Sequence, residues 1–381
     1  MLSQRQLFLQ HIAQTSPEPL ALQIEKGEGI YLTDHDGKKY IDLISGIAVS
    51  NLGHSHPKII QAVNQQMQKH SHLMVYGEYI QYPQVKLAEK LISLLPQTLN
   101  TVYFTNSGAE ATEGVMKLAK RTTGRTQLVS FKNSYHGSTQ GALSLMGSEE
   151  FKTNFRPLLP DVLLLEFNNS EQLKEISNKT AAVFVEVIQA ESGIIPAKKE
   201  WLNELRKKCN ETGTLLVVDE IQTGFGRTGT LFAFEDYDII PDILLIGKAF
   251  GGGLPLAAFV SSRELMKELS HHPVLGHIST FAGNPVCCAA ALAALEVFQE
   301  THLLDKINEK ENLLKNFKHS SLVEVRCKGL FCCFDFKDNN LTMRIIAEAI
   351  KNGVITDWFL FNAGAMRIAP PLIITKDELK L

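Results

Sequence analysis

The chain has 381 residues, 44% hydrophobic and 21% charged, with 38 Lys and Arg against 41 Asp and Glu. This is the composition of a soluble globular chain with room for two or three domains at roughly 100–200 residues each, and it excludes disorder and collagen. A net charge of −3 without a basic run leaves no footprint for a nucleic acid, and the longest apolar run, Val286–Leu295, falls short of the roughly 20 residues of a membrane-spanning helix. With no apolar signal segment at the start, neither nucleic acid nor membrane is expected as a partner, and the expected compartment is cytoplasmic. Six cysteines (Cys209, Cys287, Cys288, Cys327, Cys332, Cys333) form two adjacent pairs and no Cys-x-x-Cys. Reduced, mostly buried thiols are expected, with no metal site.

In chain order, Gly29–Asp42 holds two strand-like runs around an Asp-Gly turn, which predicts a β-hairpin outside any large sheet. Short β-branched and leucine-rich runs follow at 101–105, 127–131, 162–167, 182–188, 215–219, 243–246 and 257–261, separated by helical stretches such as 109–121 and 199–210. That alternation predicts a mostly parallel sheet wrapped by helices. From Asn284 come a long apolar helix, charged helical sequence, short strands near 323–325 and 330–336, and a final helix starting after Thr375. The expected class is α/β: a large domain over 46–285, and a smaller α+β domain built from 1–45 and 286–381.

The polar, glycine-rich clusters follow the strands: Asn106-Ser-Gly-Ala-Glu110, Asn133-Ser-Tyr-His-Gly137, Asp219-Glu-Ile-Gln-Thr-Gly-Phe-Gly-Arg-Thr-Gly229 and Gly247-Lys-Ala-Phe-Gly-Gly-Gly-Leu-Pro255. Open α/β sheets bind ligands at the carboxyl ends of their strands, so these clusters should converge. Ser107, Gly108 and Ala109 lead into a helix and suit a phosphate; the plain alternative is an ordinary tight turn. Lys248 follows an apolar strand, where desolvation favours a neutral, nucleophilic amine; the plain alternative is a solvated loop lysine. Asp219 closes a buried strand and wants a cationic partner, unless it is only a helix cap. Together, a phosphate turn, an aromatic, an aspartate and a lysine in this order are the parts a pyridoxal phosphate enzyme requires.

The Asp219 and Lys248 stretches, with Ser279-Thr-Phe-Ala-Gly-Asn-Pro285, resemble the class III aminotransferases, and Ser45-Gly-Ile-Ala-Val-Ser-Asn-Leu-Gly-His-Ser-His-Pro57 is most similar to their acetylornithine/ornithine branch. The resemblance spans about Gly29 to Pro371. It implies a fold-type I transferase with pyridoxal 5′-phosphate on Lys248, Asp219 on the ring nitrogen, Tyr135 and Ile221 on the ring faces, and Gln222 near the ring hydroxyl. Ser107, Gly108 and Ala109 would take the phosphate, and Thr280 would come from the second subunit of a homodimer with shared active sites. Arg367, in Ala365-Met-Arg-Ile-Ala-Pro-Pro371, would clamp the α-carboxylate of an oxo acid, and Glu191 would mask it when the amino donor binds. The implied reaction is ping-pong transfer from the terminal amine of an ornithine-like donor to 2-oxoglutarate, with a place in amino-acid metabolism such as arginine biosynthesis. A 4-aminobutyrate or other ω-amino-acid donor is the alternative, followed by a same-fold epimerase or decarboxylase and by a non-catalytic cofactor-binding protein.

Two departures from the family bear on substrate. The family stretch Glu-Pro-x-Gln-Gly-Glu reads Glu186-Val-Ile-Gln-Ala-Glu191, and Ser138 stands where the branch usually has a carboxylate-gripping arginine, a gap that Lys132 or Arg156 could fill. Other polar residues have plain readings: His54 and His56 in a turn, His271 and His272 in a surface loop, Glu186 as support, His136 as a neighbour of the ring, and Glu110 and Glu113 as acids favouring a helix start.

Overall fold

A computed structural model describes residues 2–381. Its central sheet has seven strands, β1 (Thr101–Thr105), β2 (Gln127–Phe131), β3 (Val162–Leu165), β4 (Thr180–Val185), β5 (Leu215–Asp219), β6 (Ile243–Ile246) and β7 (Ala257–Ser261), in the order β1-β7-β6-β5-β4-β2-β3. β7 is antiparallel to β6 and β1, and every other pairing is parallel. All seven expected runs are strands. The third stops earlier, at Leu165, and the fourth is shifted to begin at Thr180.

Alternation along each strand divides the core. Val183, Val185, Val218 and Leu244 face a layer containing Trp201 and Leu205, whereas Ala182, Phe184, Val217 and Leu245 face Ala111 and Val115. With period-two side chains and helices on both faces, β4 is buried along its whole length. Each such aliphatic side chain contributes about 1.5–3 kcal/mol by leaving water, which fixes the register and therefore the strand ends. Helix α1 (Gly108–Thr123) starts at Ser107, whose Oγ accepts the amide of Glu110, and stops at Gly124 with φ 68°.

The predicted hairpin forms from Tyr31–Asp34 and Lys39–Asp42, with Ile24–Glu28 added on one side and Val354–Ile355 pairing in parallel on the other. Early and late segments of the chain thus share a sheet. A second small sheet joins Glu324–Lys328, Phe331–Asp335, Asn362–Ile368 and Trp358–Phe359. Here the cysteine expectation needs correction: Cys327 and Cys332 are cross-strand partners and form a disulfide, while Cys209, Cys287, Cys288 and Cys333 are free. The antiparallel register around Gly329 brings the two sulfurs together, and cysteine spacing alone does not reveal that register. Among the described residues no single helix is long and apolar enough to cross a membrane; the apolar Pro285–Glu300 packs against Pro57–Lys69 and Tyr82–Ile92.

Candidate active site

Four loops at the carboxyl ends of β1, β2, β5 and β6 meet around a cavity of about 490 Å³. Ser107, Gly108, Ala109, Tyr135, Asp219, Ile221, Gln222 and Lys248 all line it, with His136, Ser138 and Glu186. A second cavity of about 380 Å³ shares Tyr135 and Lys248 with the first and reaches Glu191, Asp357, Trp358 and Arg367. Ten of the eleven expected site residues therefore lie around one continuous site. Thr280, expected from the second subunit, is exposed and lines neither cavity of this chain.

Close backbone approach shapes the first cavity. A Cβ on Gly108 would meet Ile221 Cδ1 at 2.7 Å, and one on Gly137, whose φ is 127°, would meet Ala109 Cβ at 2.7 Å. The wall thus brings the start of α1 against Ile221, with first-turn amides that have no partner within the helix. Lys248 follows Gly247 with a left-handed φ of 49°, an uncommon conformation for a lysine and a form of local strain found at functional sites. Its Nζ donates to Gln222 Oε1 at 2.7 Å. Burial pushes the Lys248 amine down to about 8; Glu191 opposes the shift and Arg367 adds to it. The solvated-lysine reading does not hold.

Asp219 is buried at the end of β5, accepts the Ile221 amide at 3.0 Å through Oδ1, and meets His136 Nδ1 at 2.7 Å through Oδ2. Burial works against charge on His136, but the hydrogen bond and charge of Asp219 outweigh it and raise the affinity of the ring for a proton. The ring's Nε2 is buried without a partner. His136 is thus a direct partner of Asp219 rather than only a neighbour of the ring site, a relation spanning 83 residues of sequence. Glu186 supports the loops as expected by accepting the amides of Tyr135 and Ala190, and burial pushes its carboxyl up to about 7.

At the other end Arg367 donates through both Nη atoms to Glu191, at 3.1 and 2.8 Å, and stacks on Phe359. Asp357, which the sequence did not single out, places Oδ1 3.0 Å from Arg367 Nε. Register explains the meeting: the Arg367 amide donates to the Asp357 carbonyl at 2.9 Å, a pairing no local motif announces. Burial pushes the Asp357 carboxyl up to about 6. Ser138 shares a 2.9 Å hydrogen bond with Tyr135. Neither candidate base fills the arginine's place: Lys132 pairs with Glu166 and Arg156 with Glu149, and neither lines either of these two cavities.

Of the remaining polar residues, His54 bonds Asp42 at 2.8 Å, and His271 and His272 are exposed. Among the described residues no three or more His, Cys, Asp or Glu side chains gather in a group that could hold a metal. Glu110 bonds back to the Asn106 amide at the start of α1, but Glu113 serves a different helix, accepting the amides of Gly141 and Ala142.

Residues 12–381 match the family model of the class III aminotransferases. The chain belongs to that family. This class III aminotransferase is 39% identical over 370 residues to the acetylornithine aminotransferase of Archaeoglobus fulgidus, covering 97% of this chain and 95% of the relative. It is 40% identical over 370 residues, 94% of this chain and 92% of the relative, to the LysW-aminoadipate semialdehyde/glutamate semialdehyde transaminase of Sulfurisphaera tokodaii. Among solved structures it resembles the taurine:2-oxoglutarate aminotransferase of Bifidobacterium kashiwanohense in complex with PLP and glutamate, with a TM-score of 0.90, 29% identity, and coverage of 98% of this chain and 94% of that one. The fold is the fold-type I transferase fold, and the enzyme is a transaminase acting on an amino donor and a 2-oxo acid.

Its cofactor is pyridoxal 5′-phosphate, and the residues present fit it. The donor set offers what each part of the group needs: helix-start amides at Gly108 and Ala109 for an anion, a buried carboxylate at Asp219 for a ring cation, and an amine of lowered pKa at Lys248 for a carbonyl. The unpartnered Nε2 of Gln222 leaves a donor for a ring oxygen.

Proposed function

We propose that this aminotransferase moves the terminal amine of an ornithine-like donor, acetylornithine or ornithine, to 2-oxoglutarate by a ping-pong mechanism. The observation that carries this reading is the Arg367–Glu191 pair in the same cavity as Lys248. Neutralised by Glu191, the arginine does not attract a carboxylate, which suits a donor presenting its terminal amine. Released from Glu191, it offers a bidentate grip to the oxo acid. Two substrates that differ at one end can then use one site in turn. The curated relatives named as acetylornithine aminotransferases support the donor class.

When bound, pyridoxal phosphate supplies the carbonyl that takes the amino group and a ring that accepts electron density. The residues of the chain do the rest. Ser107, Gly108 and Ala109 would hold the phosphate, Tyr135 and Ile221 would enclose the ring, and Gln222 would offer its amide to a ring oxygen. Asp219, steadied by His136, would favour a proton on the ring nitrogen. The lowered basicity of Lys248 would let its neutral amine hold the cofactor's carbonyl, and would suit the same amine to hold or move a proton near neutral pH.

Homodimer formation and a Thr280 contribution from the second copy belong to the same proposal. Exposed apolar residues lie in two segments, Tyr79, Ile80 (95% exposed) and Tyr82 in one and Ile278 and Phe281 beside Thr280 in the other, and the segments touch through Asn284 to Ser71 and Gln84 to Gly283. The domain division at residues 45 and 285, the cytoplasmic location and a place in arginine biosynthesis belong to the proposal as well. Ser138 supports one rival, a 4-aminobutyrate or other ω-amino-acid donor, because no cation replaces the usual arginine.

The test is glutamate formation from 2-oxoglutarate with ornithine, N-acetylornithine and 4-aminobutyrate, in the native enzyme and in Ser138→Arg. The proposal expects turnover with the ornithine-type donors, and about a tenfold or greater gain in kcat/KM for donors with an α-carboxylate once arginine is present, the worth of one charged hydrogen bond. Turnover of 4-aminobutyrate alone would contradict it.

A further inference from the structure

We propose that Asp357 forms a cation subsite at the substrate end of the site, so that the enzyme selects donors whose far end carries a free ammonium, diamines and basic amino acids, over donors in which that nitrogen is acylated. The inference rests on the preceding reading, in which the reacting amine of the donor lies at Lys248. Three charged groups meet here, and two carboxylates against one guanidinium leave a net charge of −1. Exposure decides which charge a ligand meets: the side chains of Arg367 and Glu191 are 3% and 5% exposed, whereas that of Asp357 is 22% exposed. The reachable member of the cluster is therefore an anion.

Arg367 engages Asp357 only in part. Both Nη atoms of the arginine go to Glu191, and Asp357 Oδ1 forms an ion pair with Nε at 3.0 Å that lacks hydrogen-bond alignment. The only other cation lining this cavity is Lys248, which the cofactor engages. Trp358 adds an aromatic side chain to the lining, a group that attracts a cation. In the adjoining cavity Ser138 provides no positive charge to hold a donor carboxylate. An anion at one end and no cation at the other select a donor by its second nitrogen.

The experiment compares native holoenzyme with Asp357→Asn and Asp357→Glu. It measures kcat/KM for 1,4-diaminobutane and ornithine against N-acetylornithine, KM for 2-oxoglutarate, and calorimetric binding of N,N,N′,N′-tetramethyl-1,4-diaminobutane, a dication that cannot form a carbon–nitrogen double bond with the cofactor. The native enzyme should favour the free-ammonium donors by at least about tenfold. Asp357→Asn should shift that ratio about tenfold toward N-acetylornithine, weaken the dication by a similar factor and leave KM for 2-oxoglutarate no higher, and Asp357→Glu should restore part of the preference. Equal losses for all donors with a raised KM for 2-oxoglutarate would show that Asp357 only positions Arg367, and would overturn the proposal. Turnover without charge preference, or dication binding indifferent to residue 357, also overturns it. Dication binding that depends on Asp357, in an enzyme that passes no amine from these donors to 2-oxoglutarate, would keep the subsite and reject the proposed donor and acceptor instead.

Discussion

The two ends of the site are built differently. The cofactor end is assembled from loops that each directly follow a strand of one rigid sheet, so Ser107, Asp219 and Lys248 are placed by the register of β1, β5 and β6. The substrate end joins Glu191, after β4, to Arg367 on a separate small sheet, across 176 residues of sequence, and to Asp357 just before a strand of that sheet. The first arrangement fixes chemistry in a scaffold with both faces buried. The second lets specificity change at a single position, such as Asp357, without disturbing the central sheet.

If this contrast is right, damage at the cofactor end should slow every substrate alike, while damage at the substrate end should discriminate between half-reactions. The largest effect is expected for Asp219→Asn, which removes the charge facing the ring nitrogen and the partner of His136. Turnover should fall about 10²–10³-fold with all donors, by analogy with other preorganised charges, and the cofactor should stay bound. Single-turnover rates for both half-reactions, with cofactor content measured by absorbance, check this; loss with one donor only would break the contrast.

Next comes Arg367→Ala. It should raise KM for 2-oxoglutarate about ten- to hundredfold, the worth of charge-assisted hydrogen bonds of about 1.5–3 kcal/mol, and affect the donor much less. Equal changes in the two half-reactions would show that the pair with Glu191 is no switch. The smallest expected effect concerns pH. Only the neutral amine of Lys248 attacks a carbonyl, so capture of free pyridoxal phosphate by the stripped protein should fall about tenfold per pH unit below about 8 and level off above it. An ordinary lysine would keep gaining up to about 10.4, and a rate still climbing through pH 9–10 would refute the lowered basicity.

The same contrast governs what could be read from the sequence. The seven strands were legible because both faces are buried and the runs are continuously apolar, as in Ala182–Val185. Lys248 and Asp219 were legible because the chemistry lies within a few residues of a strand end. Arg367 and Glu191 were reached only through resemblance. Asp357 was not reached at all, since its role depends on the antiparallel register that sets it beside Arg367. The His136–Asp219 contact, the Cys327–Cys332 bond and the capping of a second helix by Glu113 are likewise products of tertiary or cross-strand pairing.

The central claim is that Lys248 carries the cofactor at the meeting point of these two ends. Borohydride reduction of the cofactor-loaded enzyme, followed by peptide mass mapping, tests it most directly. A pyridoxyl group on the peptide containing Gly247-Lys248-Ala249, absent from Lys248→Ala treated in the same way, is the predicted result. Modification of a different lysine in the native enzyme, or none at all, would contradict the account.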